Sequence, residues 1–131
     1  MRILVTGSRL WTDEDMIRNL LAAIDRQEVP EVLDALGLPK EPAHTLVHGG
    51  ARGADTIAAS TAKELGWTVE AHWPAWRAHP KDAALLNNQK MVGLGADMCM
   101  GFLKARYRSS LAEHCMRAAR MAGITVAKFY D

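Results

Sequence analysis

Five short, strand-like apolar runs, each followed by a loop, alternate along this chain with stretches of helical spacing. Ile3-Leu4-Val5 stops at Gly7 and Thr45-Leu46-Val47 stops at Gly49-Gly50; Trp67-Thr68-Val69-Glu70-Ala71 and residues 96–103 and 124–127 complete the set. Runs this short and this apolar suit parallel strands buried on both faces. Between them, Thr12-Asp13-Glu14-Asp15 offers a cap and an acidic first turn to Met16, Ile17, Leu20, Leu21 and Ile24. Pro30 interrupts that helix, Val32, Leu33 and Leu36 suggest one or two further turns, and Gly37-Leu38-Pro39 ends it at a surface loop over 37–44. Further helices are expected over 54–65, 81–94 and 109–122. The alternation predicts an α/β chain: one Rossmann-like three-layer domain over 1–131, with a mainly parallel five-stranded sheet and helices on both faces. Such sheets bind ligands beyond the carboxyl ends of their strands, at the switch point.

Composition narrows the function classes. Lys and Arg number 16 against 15 Asp and Glu, so bulk charge makes no case for a polyanion or a membrane surface. No apolar stretch approaches the ~20 residues of a membrane span, and the amino terminus enters a strand with no signal-like apolar region. Cys99 and Cys115 lack the spacing of a metal site and read as buried thiols of a reducing compartment. The expectation is a cytoplasmic protein with no membrane association and no metal.

The predicted topology gathers four loops, at 6–11, 48–55, 72–80 and 103–110, and the unusual residues fall there. In the first, Gly7 permits a sharp turn and close ligand approach, while Ser8 and Arg9 can hold a phosphate; the alternative is a plain turn with a solvent-facing Arg9. In the second, Gly49, Gly50 and Gly53 fall within five residues between a strand and a helix start. Free backbone N–H groups, the helix N-terminus and Arg52 there suit an anion. The spacing matches neither GxGxxG nor a P-loop. Asp55 caps the helix, or else holds a ribose hydroxyl or Arg52. The third loop carries Trp73 and Trp76: one should pack on the domain or on a partner chain, and Trp76 offers a stacking surface beside Arg77. The fourth, Lys104 to Ser110, is a local basic patch in which Ser109 or Ser110 caps the last helix; its alternative is a solvated surface hairpin.

Two long motifs carry a resemblance: Val5-Thr6-Gly7-Ser8-Arg9 with Trp11-Thr12-Asp13, and Val47 through Asp55. Pro74-Ala75-Trp76, Lys81, Asn88 through Met91, and Ala122-Gly123-Ile124 with Val126 follow in order. The chain resembles the YspA-like branch of the SLOG superfamily, Rossmann-like relatives of the LOG phosphoribohydrolases and of the DNA-processing protein DprA. The resemblance departs at two places. Asn87 stands where relatives carry Arg, and Arg108-Ser109-Ser110-Leu111 stands where they carry a glycine-threonine phosphate turn.

Three functions remain open on these residues. The first is a sensor or sequestering module for a nucleotide or ADP-ribose-like ligand, bound by Gly7, Ser8, Arg9, Gly49, Gly50, Arg52, Gly53, Trp76, Ser109 and Ser110. The second is an N-glycosidic hydrolase of nucleotides resembling the LOG enzymes, with Asp55 and Glu113 as the candidate catalytic carboxylates. The third is a single-stranded nucleic-acid binder resembling DprA, using Arg106, Arg108 and the tryptophans. Relatives commonly associate, so a homo-oligomer is expected.

Overall fold

A computed structural model describes residues 1–27 and 44–131. Its elements are β1 (Arg2–Gly7), α1 (Glu14–Gln27), β2 (Thr45–His48), α2 (Ala54–Glu64) and β3 (Thr68–Ala71), then α3 (Ala83–Gly93), β4 (Met98–Leu103), α4 (Ser110–Met121) and β5 (Thr125–Tyr130). The helical extension expected around Val32, Leu33 and Leu36, its stop at Gly37 to Pro39 and the loop that follows lie outside the described residues, except His44.

All five strands pair in parallel, in the order β3-β2-β1-β4-β5. The first two crossovers step outward from β1, and the third returns to its other side. The switch point therefore lies between β1 and β4, where loops on either side diverge and leave a crevice.

The apolar runs alternate in direction although they do not alternate in polarity. Ile3, Val5, Leu46, Met100 and Phe102 join a core with Trp11, Ile17, Leu21, Ala58 and Ala62, under α1 and α2. Leu4, Val47, Cys99 and Leu103 face the opposite core with Met91, Cys115, Met116 and Ala119, under α3 and α4. Each Leu, Ile or Phe fully buried in this way contributes about 1.5–3 kcal/mol. This two-sided burial is what selects a parallel sheet. Cys99 and Cys115 are free thiols inside the second core.

Local signals place the helix starts. Asp13 Oδ1 accepts the Met16 N–H (3.1 Å) at the head of α1, and Ser109 Oγ accepts the Ala112 N–H (3.3 Å) at the head of α4. The last strand runs further than the expected 124–127, because all of β5 pairs with Met98 to Leu103 and Phe129 stacks on Phe102 at 5.3 Å. β4 begins at Met98 rather than 96: the Asp97 N–H donates to the Arg2 carbonyl (2.8 Å), ahead of the ladder. No helix among the described residues is long and apolar enough to cross a membrane.

Candidate functional site

A cleft of about 580 Å3 opens over the switch point, walled by the ends of β1 and β2, the loop after β3, one side of α3 and the turn into α4. Its floor is built around Gly7. A Cβ there would lie 2.6 Å from the Phe102 carbonyl oxygen and 2.7 Å from the Ala54 Cβ, so only glycine lets β1, β4 and α2 approach this closely. Ser8 follows, buried, with its N–H donated to the Phe102 carbonyl (2.8 Å) and its Oγ accepting the Leu10 N–H (3.1 Å). Those bonds project Arg9 and Leu10 to the surface, where both line the cleft.

The glycine-rich loop is organised differently from the expectation of free backbone donors. The Gly49 N–H donates to Asp55 Oδ2 (3.1 Å), the Ala51 N–H to the same oxygen (3.4 Å), and the Gly50 N–H to His48 Nδ1 (2.9 Å). Three of the loop's donors are thus held by the protein itself. Asp55 does not cap α2: the N-cap is Gly53, with no side-chain cap, and Asp55 reaches back across the loop instead. Gly53 adopts φ +76°, and a Cβ there would lie 2.5 Å from the Ser8 carbonyl oxygen, so this glycine seats the second loop on the first. Arg52 is exposed, and neither it nor Gly53 lines the cleft.

Asp55 is the most perturbed group of the site. It is 4% exposed, and burial pushes its carboxyl up to about 7 against the pull of the Gly49 and Ala51 N–H groups. Its Oδ1 is buried and has no hydrogen-bond partner among the described residues. His48, also buried, is pushed down, chiefly by desolvation; that keeps Nδ1 available as the acceptor for Gly50.

The remaining walls carry the aromatic and cationic groups. Trp73 lies directly against Gly50, where a Cβ would come within 2.3 Å of two of its ring carbons, and meets His48 edge-on at 6.4 Å. It is nevertheless 69% exposed and Trp76 49%, so the expectation of one packed and one wet tryptophan gives way to two half-open rings at the cleft mouth. Tyr107 joins them in the lining. Ser109, Ser110 and the first turn of α4 form the far wall, so the start of that helix, with Ser109 Oγ capping the Ala112 N–H, borders the cleft. Arg108 stands beside them, its Nε donating to Glu113 Oε2 (2.7 Å) and its terminal nitrogens without a partner among the described residues.

Of the anticipated site residues, the cleft gathers Gly7, Ser8, Arg9, Gly49, Gly50, Asp55, Trp76, Ser109 and Ser110; Arg52, Gly53 and Glu113 stand outside its lining. Glu113 faces a neighbouring cavity, so the two candidate carboxylates do not share one chamber. Two wall residues had only a weak signal. Asn87 Nδ2 donates to the His72 carbonyl (2.7 Å), tying α3 to the third loop, and Asn88 Nδ2 donates to the Leu111 carbonyl (3.1 Å), tying it to α4. Their trace in the sequence is a pair of asparagines inside a helix, which propensity disfavours and a structural bond must justify.

The model of the YspA, cpYpsA-related SLOG family matches residues 1–79, which carry the first three loops. The Gene 61 protein of Mycobacterium phage D29 is 40% identical over 135 residues, covering 99% of this chain and 97% of that protein. No solved structure is a significant match. With the family model spanning more than half of the residues and a relative matched nearly end to end, the chain belongs to the YspA, cpYpsA-related SLOG family.

Proposed function

We propose that this protein captures the phosphate of a nucleotide-derived small molecule, of the nucleotide or ADP-ribose class, as a sensor or sequestering module. The observation that carries the reading is the convergence on one cleft of Arg9, Arg108 and the first turn of α4 with Trp73, Trp76 and Tyr107. Guanidinium groups and a helix start suit phosphate, and exposed rings suit a base. Membership of the SLOG family, which suggests nucleotide-related binding or processing, agrees with it. Because the 49–51 amides are already engaged, side chains carry the phosphate here more than the glycine loop does. The test is a thermal-shift panel of NAD, ADP-ribose, AMP, ADP, ATP and ribose 5-phosphate. A ligand at ~100 times its Kd adds about 2.7 kcal/mol, a midpoint shift of several degrees. The expected result is a shift that Arg9→Ala reduces and Arg52→Ala retains; a flat response across the panel overturns the reading.

A second reading, N-glycosidic hydrolysis, draws on Asp55, whose carboxyl at about 7 sits where proton transfer at neutral pH is efficient. It predicts release of free base from a bound nucleotide, lost in Asp55→Asn. Binding without base release by the unaltered protein removes it.

A further inference from the structure

The turn that closes the cleft also walls a second cavity. It measures about 260 Å3, and Tyr107, Arg108 and Ser109 line both chambers. Four cations surround the smaller one: Lys104, Arg106, Arg108 and Lys128. In a chain whose formal net charge is +1, that is a local concentration. Two carboxylates answer it. Asp131 holds Lys104 at 3.0 Å, and Glu113 holds Arg108. Arg106 and Lys128 have no ion-pair partner among the described residues, which leaves an excess of positive charge facing the cavity.

The fold places these cations together from separate elements. Lys104 and Tyr107 form an isolated bridge that tightens the turn after β4, with Arg106 inside it. Lys128 and Tyr130 alternate along β5 and so project to the same side of the sheet. Repulsion among like charges would splay such a turn, and an anion between them relieves it. The cavity is small and open to solvent, with room for a single phosphate group among its cations.

We propose that this cavity is a second anion subsite, taking a phosphate that lies across the Tyr107–Ser109 wall from the one in the main cleft. This rests on the reading of the cleft as a phosphate site. The ligand class becomes a nucleotide bearing two separated phosphates, with Arg108 positioned between them.

Two measurements separate the subsite from the cleft reading. In the first, the 15N-labelled protein is titrated with inorganic phosphate at low ionic strength, where exposed cations are least screened. Saturable amide shifts are expected over 104–109 and 128–130, lost in the Arg106→Ala/Lys128→Ala double variant. Absence of shifts at those residues overturns the subsite whatever the cleft binds. In the second, AMP and adenosine 3′,5′-bisphosphate are compared by calorimetry. The bisphosphate should bind at least tenfold tighter, the double variant should remove that advantage, and its affinity for AMP should be unchanged. AMP bound as tightly as the bisphosphate overturns the subsite and leaves the cleft reading standing. Neither nucleotide bound, with phosphate still shifting 104–109, overturns the bridging ligand and the cleft reading together. An oligonucleotide that binds tighter than the bisphosphate and is lost in the same variant reassigns the cations to nucleic acid and overturns the proposal.

Discussion

Replacing Asp55 with asparagine keeps the shape of the side chain and removes its charge. The folded protein holds this carboxyl at about 7, through burial, against an ordinary value of 3.8 in the unfolded chain. Between those two pH values the folded state keeps a proton that the unfolded state has lost, so stability falls as pH rises. At about 1.4 kcal/mol per pH unit, the interval from 3.8 to about 7 amounts to roughly 4 kcal/mol. Above pH 7 no further loss follows. His48, pushed down by burial, produces the opposite slope below 6.5. Glu70, held down to about 2 chiefly by Arg2, acts only below 4.5. Both remain in the variant, so the difference between the two proteins isolates Asp55. The amide adds a constant cost of about 1–3 kcal/mol, because its Nδ2 takes the place of an oxygen with no partner among the described residues. Urea unfolding at a series of pH values is the assay. The stability of the unaltered protein relative to Asp55→Asn should fall by roughly 4 kcal/mol from pH 4 to 7.5, on the order of 10–15 degrees in Tm, so that the variant becomes the more stable of the two at neutral pH. A difference independent of pH across that range would refute the assignment of a buried, proton-holding carboxyl.

Three other substitutions probe the frame around the site. Gly50→Ala combines φ +76° with a collision against the Trp73 ring, so it should displace the tryptophan, read as a change in its fluorescence, and lower stability by about 1–3 kcal/mol. Gly101→Ala sets a methyl 2.3 Å from Met116 Sδ between β4 and α4; a loss of about 1–3 kcal/mol by chemical denaturation is expected, partly recovered by adding Met116→Ala. Ser109→Ala removes the cap of α4 and should cost about 0.5–2 kcal/mol, with faster hydrogen exchange at the Ala112 amide as its local signature.

The sheet was legible because its determinants are local and repeated. A run such as Ile3-Leu4-Val5 carries its own burial, and Asp13 and Ser109 carry their own helix starts. Right-handed crossovers then leave few ways to order the strands, and the four loops had to meet. Interior pairings of the loops carry no such mark. Nothing in the sequence says that Asp55 turns back to Gly49 and Ala51 instead of capping α2, because an aspartate at the start of a helix satisfies both patterns. The same holds for Arg52: its place in a glycine-rich loop suits an anion, but its exposure outside the cleft follows from how Gly53 docks on the Ser8 carbonyl.

That docking changes what the glycines are for. A loop that presents bare amides to a phosphate must leave them unpaired, yet here Asp55 and His48 hold the amides of residues 49 to 51. The glycines therefore serve packing: Gly7 admits Phe102 and Ala54, Gly53 admits the first loop, and Gly50 admits Trp73. In the proposed function the phosphate falls instead to Arg9 and Arg108, which lie on two different loops of the cleft. A phosphate bound between them is held by flexible side chains on opposite sides of the switch point, so its affinity should fall steeply with salt, as a cradle of buried amides would not. Raising ionic strength from 0.05 to 0.5 M should therefore weaken AMP binding severalfold in the unaltered protein and much less in Arg9→Ala. Equal weakening in both would return the phosphate to the backbone.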